Sequence, residues 1–253
     1  MFIEVTGRGP DLVLLHGWSM NSRVWQLLKP CLENDFTLHC VDLPGHGDSD
    51  WQTGAFDSEQ LLPALAAQLP PSAIWLGWSL AGQFALQFAK AYPARVQQLI
   101  LLAATPKFVA DDGWQPAMPV ATFNEFSKAL DQDPAQLMQS FLTLIARGAQ
   151  FARDTIGMLQ NEVMLGHAAH PEALREGLNC LQDFDGRQML ADLNLPVSVL
   201  LGERDNLIPA ELAAELMILK PDINCQVLQG AGHAPFISHP AQSAAMIKSM
   251  IHD

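Results

Sequence analysis

Ser79 lies in Ala73-Ile-Trp-Leu-Gly-Trp-Ser-Leu-Ala-Gly82, where an apolar run meets a small residue, a serine and a helix-forming stretch. A serine on so sharp a strand-to-helix turn presents its hydroxyl as a nucleophile and needs small residues two places before and after it. Gly77 and Ala81 meet that demand, Ala81 being one methyl group larger than the glycine of the usual G-x-S-x-G pattern. A serine hydroxyl attacks poorly unless a base takes its proton, so a histidine must come within reach. The eight histidines are His16, His39, His46, His167, His170, His233, His239 and His252. After a nucleophile on such a turn, the acid and then the histidine follow in loops after late strands. His233, in Gln229-Gly-Ala-Gly-His-Ala-Pro-Phe236, fits that place, whereas His239 precedes a terminal helix beginning at Pro240. The acid that orients the imidazole is expected in Leu200-Leu-Gly-Glu-Arg-Asp-Asn-Leu-Ile-Pro209, which offers Asp205 or Glu203. Asp205, just before Leu-Ile-Pro, is the expected choice, and Glu203 reads as a solvated loop carboxylate. Acyl transfer also needs donors for an oxyanion. These are the N–H of Leu80, next to the nucleophile, and that of Trp18 in Leu14-Leu-His-Gly-Trp-Ser19, with His16 either buttressing that loop or simply an ordinary satisfied polar residue.

The elements that must hold these groups are strands alternating with helices. Leu12–Leu15, Phe36–Val41, Ala73–Leu76, Gln98–Ala103, Val197–Leu201 and Cys225–Leu228 are short apolar runs, the pattern of strands covered on both faces. Helices are expected over Ser58–Gln68, with a bend at Pro63, over Leu80–Ala91 and over Ala210–Leu219. Such alternation implies right-handed crossovers and a mainly parallel sheet. Between Val109 and Asp183 the pattern changes to successive helices, at Ala121–Asp131, Pro134–Ala146, Ala149–Leu165 and Pro171–Leu181. This divides the chain into a core of residues 1–108 and 183–253 and a helical lid of residues 109–182. Asp42-Leu-Pro-Gly-His-Gly-Asp-Ser49 reads as a structural turn after a strand, since it has neither P-loop nor dinucleotide spacing.

Composition narrows the class further. With 253 residues, 49% hydrophobic and 16% charged, the chain can bury a substantial core and is not a disordered one. A formal net charge of −13 argues against nucleic-acid binding and works against acidic partners at long range. No apolar run reaches the ~18–20 residues of a bilayer span, and Met-Phe-Ile-Glu-Val-Thr-Gly-Arg-Gly lacks the basic and apolar regions of an export signal, so the cytoplasm is expected. The four cysteines, Cys31, Cys40, Cys180 and Cys225, have no metal-like spacing and read as free thiols. Neither metal nor cofactor is expected.

Leu-Leu-His-Gly-Trp18, Val-Asp-Leu-Pro-Gly-His-Gly-Asp-Ser49, Ile-Trp-Leu-Gly-Trp-Ser-Leu80 and His-Ala-Pro-Phe-Ile-Ser-His-Pro240 occur in that order. Together they resemble the pimeloyl-[acyl-carrier protein] methyl ester esterases of biotin synthesis, carboxylesterases of the α/β-hydrolase fold. The resemblance implies hydrolysis of the methyl ester that masks the far carboxyl of a carrier-bound pimeloyl chain, by a triad of Ser79, Asp205 and His233. It implies acyl contacts from Trp18, Leu80, His233 and Phe141, Leu142, Thr143, Leu144 and Ile145, the last standing where the family has Gln. It also implies an acyl-carrier protein as partner, gripped by lid arginines. Of the insert's Lys128, Arg147, Arg153 and Arg175, Arg147 and Arg153 match those positions, while Ser140 and Gly157 stand where others are expected. The nearest alternatives are a broad carboxylesterase or thioesterase acting on small esters, and a silent fold member that only binds. Haloalkane dehalogenases and epoxide hydrolases normally place Asp at the turn, which Ser79 disfavours.

Overall fold

The computed structural model describes residues 1–164 and 168–252, and also leaves the side chains of Glu162, Met164 and His252 undescribed. His167 and Leu165 therefore lie outside the described residues. The strands are β1 (Ile3–Gly7), β2 (Asp11–Leu15), β3 (Thr37–Val41), β4 (Ala73–Trp78), β5 (Val96–Leu102), β6 (Val197–Gly202) and β7 (Asn224–Leu228). They form one seven-stranded sheet in the order β1-β3-β2-β4-β5-β6-β7. Only the β1–β3 pair is antiparallel; all other neighbours run parallel. The core strands are apolar along their length because helices cover both faces: every residue of β4 and β6 is buried.

The helices are α1 (Lys29–Leu32), α2 (Ser58–Gln68), α3 (Leu80–Ala91), α4 (Val120–Gln132), α5 (Pro134–Ala146), α6 (Ala152–Met158), α7 (Pro171–Asp183), α8 (Arg187–Ala191), α9 (Leu212–Leu219), α10 (Pro235–Ser238) and α11 (Pro240–His252). Helix α3, behind Ser79, packs on β4 and β5. Pro63 sits inside α2. Helices α4 to α7 all fall between β5 and β6, as the change of pattern after Val109 predicts.

The chain departs from the sequence expectation in two places that bear on the site. An edge strand, β1, precedes the first expected one; it alternates Ile3 and Val5 with Glu4 and Thr6 and is too short and mixed to stand out. The helix expected over Ala149–Leu165 starts only at Ala152, after a left-handed Phe151 (φ 62°), and widens into a π turn at Leu159–Met164. The Gln150 N–H donates instead to the Gly230 carbonyl at 2.8 Å, which ties this stretch to the loop carrying His233. Among the described residues no helix is long and apolar enough to cross a membrane.

Candidate active site

Ser79 stands between β4 and α3 at φ 56° and ψ −121°. A β-substituted residue rarely adopts this region, and it is held there by its surroundings. The Ser79 N–H donates to the Leu102 carbonyl and the Gly82 N–H to the Ser79 carbonyl, both at 3.0 Å. A Cβ on Gly77 would lie 2.5 Å from the Ala81 carbonyl oxygen, and one on Gly82 2.5 Å from the Ala104 Cβ. Ala81, by contrast, accommodates its methyl group fully buried. The strand-to-helix turn thus depends on Gly77 and Gly82.

The loops after β6 and β7 bring Asp205 and His233 to that serine. A carboxylate only accepts, so the His233 Nδ1–H donates to Asp205 Oδ2 at 2.8 Å. That tautomer leaves Nε2 as an acceptor for the Ser79 hydroxyl, 2.9 Å away. The other carboxylate oxygen, Asp205 Oδ1, accepts the N–H groups of Leu207 and Ile208 at 2.8 and 3.0 Å. Trp78 Nε1–H donates to the His233 carbonyl at 2.8 Å, which ties the β7 loop to the strand that carries Ser79. The two loops meet backbone to backbone, since a Cβ on Gly202 would run into the Gly232 carbonyl oxygen. His233 and Asp205 are both buried, so their pairing takes place with little water. Glu203 is turned elsewhere: its carboxylate accepts the Gly230 N–H at 2.9 Å. His239 pairs through Nδ1 with Ser238 Oγ at 2.8 Å, and burial lowers its pKa.

The loop after β2 lies directly against the serine, because a Cβ on Gly17 would sit 3.1 Å from the Ser79 Cβ. Neither Trp18 nor Leu80 has a main-chain N–H hydrogen bond among the described residues; Leu80, as the first residue of α3, has no intrahelical acceptor. These are free donors of the kind an oxyanion needs. His16 fixes this loop: its Nε2 accepts the Leu43 N–H at 3.0 Å and its Nδ1–H donates to the Gly17 carbonyl at 2.9 Å. Burial holds the His16 pKa down to about 4, so the ring is a neutral brace. The Asp42–Ser49 turn is built around Asp42, which accepts the Ser22 and Asp48 N–H groups at 2.6 and 2.8 Å.

A small cavity beside Ser79, about 20 Å³, is lined by Trp18, Phe108, Met118, Phe126 and Phe141, with Leu178, Leu181 and Leu207. Phe108, Met118 and Phe126 carry no motif that singles them out; the first two come from the segment before α4 and Phe126 from α4 itself, and only the fold brings them to Ser79. Of the five consecutive acyl contacts expected on α5, only Phe141 lines the cavity. Leu142 and Ile145 are buried elsewhere, Leu144 is half-buried and Thr143 is exposed. Ile145 contributes its main chain, its carbonyl accepting the His233 N–H at 3.2 Å. Arg147 and Arg153 are exposed, and no carboxylate pairs with either among the described residues. Of the remaining histidines, His39 pairs with Asp11 at 2.7 Å and His170 Nδ1 accepts the Glu172 N–H at 3.2 Å, both away from the site. Among the described residues no group of three or more His, Cys, Asp or Glu could hold a metal ion.

A family model described as the alpha/beta hydrolase family matches residues 12–246. The chain belongs to the alpha/beta hydrolase family. Among its relatives, the pimeloyl-[acyl-carrier protein] methyl ester esterase of Photobacterium profundum is 39% identical over 248 residues, covering 98% of this chain and 97% of that one. The protein of the same name from Xylella fastidiosa is 40% identical over 253 residues, covering 99% and 98%. In three dimensions this hydrolase is similar to an esterase from Exiguobacterium antarcticum, with a TM-score of 0.86, 21% identity and coverage of 100% and 95%. It is similar to much the same degree to a bromoperoxidase from Bacillus anthracis, with a TM-score of 0.85, 19% identity and coverage of 99% and 95%. Two such different labels on one fold mean that the architecture alone does not choose the chemistry.

Proposed function

We propose that the chain is a serine carboxylesterase that hydrolyses the methyl ester of pimeloyl-[acyl-carrier protein] in biotin synthesis, with Ser79, His233 and Asp205 as its triad. The observation that carries the chemistry is the continuous line from Ser79 Oγ through the His233 ring to Asp205, 2.9 and 2.8 Å long. The names of the full-length relatives carry the choice of substrate.

In the proposed reaction His233 Nε2 takes the Ser79 proton as Oγ attacks the ester carbonyl. The oxyanion is received by the N–H groups of Trp18 and Leu80. The intermediate collapses as His233 returns that proton to the leaving methoxide, releasing methanol and leaving an acyl-enzyme. Water, deprotonated by the same nitrogen, then attacks the acyl carbonyl, and the free acid leaves as Oγ regains its proton. Asp205 keeps the ring in the productive tautomer and stabilises its cation. The cavity at Ser79 is walled by apolar side chains and has no cationic lining among the described residues. Such a wall suits a neutral ester and disfavours the carboxylate product. Residues 109–182 serve as the lid that supplies most of this wall, and exposed Arg147 and Arg153 are the carrier-facing cations.

Ser79→Ala is expected to lower ester turnover by roughly three to six orders of magnitude with the fold intact. The substrate is tested by complementing a biotin-requiring strain that lacks this step, together with cleavage of methyl-pimeloyl carrier protein. Growth without biotin supports the reading; turnover of short esters without rescue makes the chain a general carboxylesterase. Near-wild-type activity of Ser79→Ala defeats the mechanism altogether.

A further inference from the structure

A second apolar space lies beside the cavity at Ser79, built from the same three helices. The cavity takes Phe126 from α4, Phe141 from α5 and Leu178 from α7. A groove of about 230 Å³ takes Leu130, Met138 and Leu174 from those helices, each three or four residues away. One helical turn, about 5.4 Å of rise, therefore relates the two linings. Trp18 lines the cavity and its neighbour Ser19 lines the groove. Between them stands an aromatic cluster in which Trp18 meets Phe126 and Phe141 edge-on, with ring centroids 5.4 and 5.0 Å apart.

Ser19 is the unusual member of this groove. Its φ of 63° lies in the left-handed region, where glycine is unstrained and serine is not. It is 5% exposed, and its hydroxyl has no hydrogen-bond partner among the described residues. A buried hydroxyl that forgoes its hydrogen bond, on a backbone that favours glycine, carries two separate penalties. Arg175 also lines the groove, but its guanidinium is bound to Asp131 at 3.0 Å and Glu172 at 2.6 Å. The groove thus offers an apolar wall, one uncommitted hydroxyl and no free cation among its described residues. That combination suits a neutral chain bearing a carbonyl and does not suit a free carboxylate.

We propose that this groove holds the part of the substrate beyond the scissile ester, with the Ser19 hydroxyl donating to its far carbonyl, and that Trp18, Phe126 and Phe141 part to join the two spaces. The proposal rests on the ester-hydrolase reading and adds a specificity element to it. The occupant is a neutral thioester-terminated acyl chain, whose ester end reaches Ser79.

The test uses two esters of equal acyl length. One is the monomethyl ester of a seven-carbon diacid carried as its N-acetylcysteamine thioester, and the other is methyl heptanoate, which lacks the far carbonyl. Ser19→Ala removes the hydroxyl and keeps the β-carbon; Ser19→Gly removes both and relaxes the backbone, so it folds even where the alanine variant does not. Both variants are expected to raise the KM of the thioester ester roughly fivefold to tenfold more than that of methyl heptanoate, with kcat little affected. Met138→Trp, which fills the groove, is expected to lower kcat/KM for the thioester ester at least about tenfold relative to p-nitrophenyl acetate. Equal effects of both Ser19 variants on the paired esters, or no loss in Met138→Trp relative to p-nitrophenyl acetate, overturn the groove while leaving the hydrolase reading intact. Failure of the wild-type protein to cleave any of the esters overturns both.

Discussion

Ser79, Gly77, Ala81 and Gly82 show how much of a reactive turn lies in single atoms. The departure of Ala81 from the usual glycine looks like a weakness in the sequence, yet the fold holds its methyl group fully buried. The constraint falls on its neighbours. A Cβ on Gly77 would press on the Ala81 carbonyl oxygen at 2.5 Å, and backbone cannot rotate aside as a side-chain tip can. Gly77→Ala is therefore expected to destabilise the fold by about 1–3 kcal/mol through overpacking and to displace Ser79, so that ester turnover falls with the urea midpoint. Ala81→Gly adds only the backbone freedom of a glycine in a helix, about 0.5–1 kcal/mol, and is expected to keep turnover close to wild type. Comparable losses in the two variants would contradict this account of the turn. The three side chains of the proposed triad were legible because strand ends and chain order announce them: Ser79, Asp205 and His233 each follow an apolar run. Phe126 was not, since an apolar residue on an amphipathic helix has the same pattern whether it faces a core or a substrate, and neither were Phe108 and Met118, which lie in a connecting segment with no periodic pattern to read.

The elements around the site are joined by buried histidines as well as by packing. His16, after β2, and His46, after β3, lie with ring centroids 5.1 Å apart, and His46 stacks on Phe56. The His46 Nδ1–H donates to the Pro44 carbonyl at 2.9 Å, while its Nε2 has no partner among the described residues. Burial lowers the pKa of His16 to about 4 and, together with the neighbouring His16, that of His46 to about 3. In the unfolded chain both rings titrate near ~6.5. The unfolded state therefore binds more protons once the pH drops below that value. The stability from these neutral rings is present above pH ~6.5 and is lost as the pH falls toward 4, at roughly 1.4 kcal/mol per pH unit for each ring. Thermal midpoints measured from pH 7 to pH 4.5 should fall, and His46→Phe, which keeps the stack on Phe56 and cannot titrate, should flatten the decline. An unchanged slope in that variant would remove His46 from the explanation. Helices with strong stops at both ends were read to the residue, as at Leu80–Ala91 and Pro134–Ala146. The segment before α6 was not, because what ends it is a tertiary bond, Gln150 N–H to the Gly230 carbonyl, with no local sequence signal.

Across the whole molecule, a net charge of −13 has to be reconciled with an acidic carrier as the proposed partner. The distribution of the 14 basic residues does this better than their sum. Many are neutralised locally, as Arg23 is by Asp48, Lys29 by Glu4, Lys107 and Arg187 by Asp111 and Asp185, and Arg175 by Asp131 and Glu172. Arg147 and Arg153 are exposed and have no carboxylate partner among the described residues. Arg204 lies close to Arg147: its Nη1 donates to the Gly148 carbonyl at 3.3 Å, while its contact with Glu203 is a long 3.6 Å. The junction of α5 and α6 is thus a place where positive charge is uncommitted, directly above the loops of Asp205 and His233. Asn206 Nδ2–H donates to the Arg147 carbonyl at 2.8 Å, and the His233 N–H to that of Ile145. A local field of this kind steers an acidic partner within about 10 Å at 0.1 M salt even when the distant surface repels it. Reversing the charge with Arg147→Glu and Arg153→Glu together is expected to lower kcat/KM for the carrier-bound ester roughly tenfold at low salt, mostly through KM. The loss should shrink as ionic strength rises, and p-nitrophenyl acetate should show no comparable salt-dependent difference. A carrier-bound substrate that responds to neither charge reversal nor salt would place docking on another face of the protein.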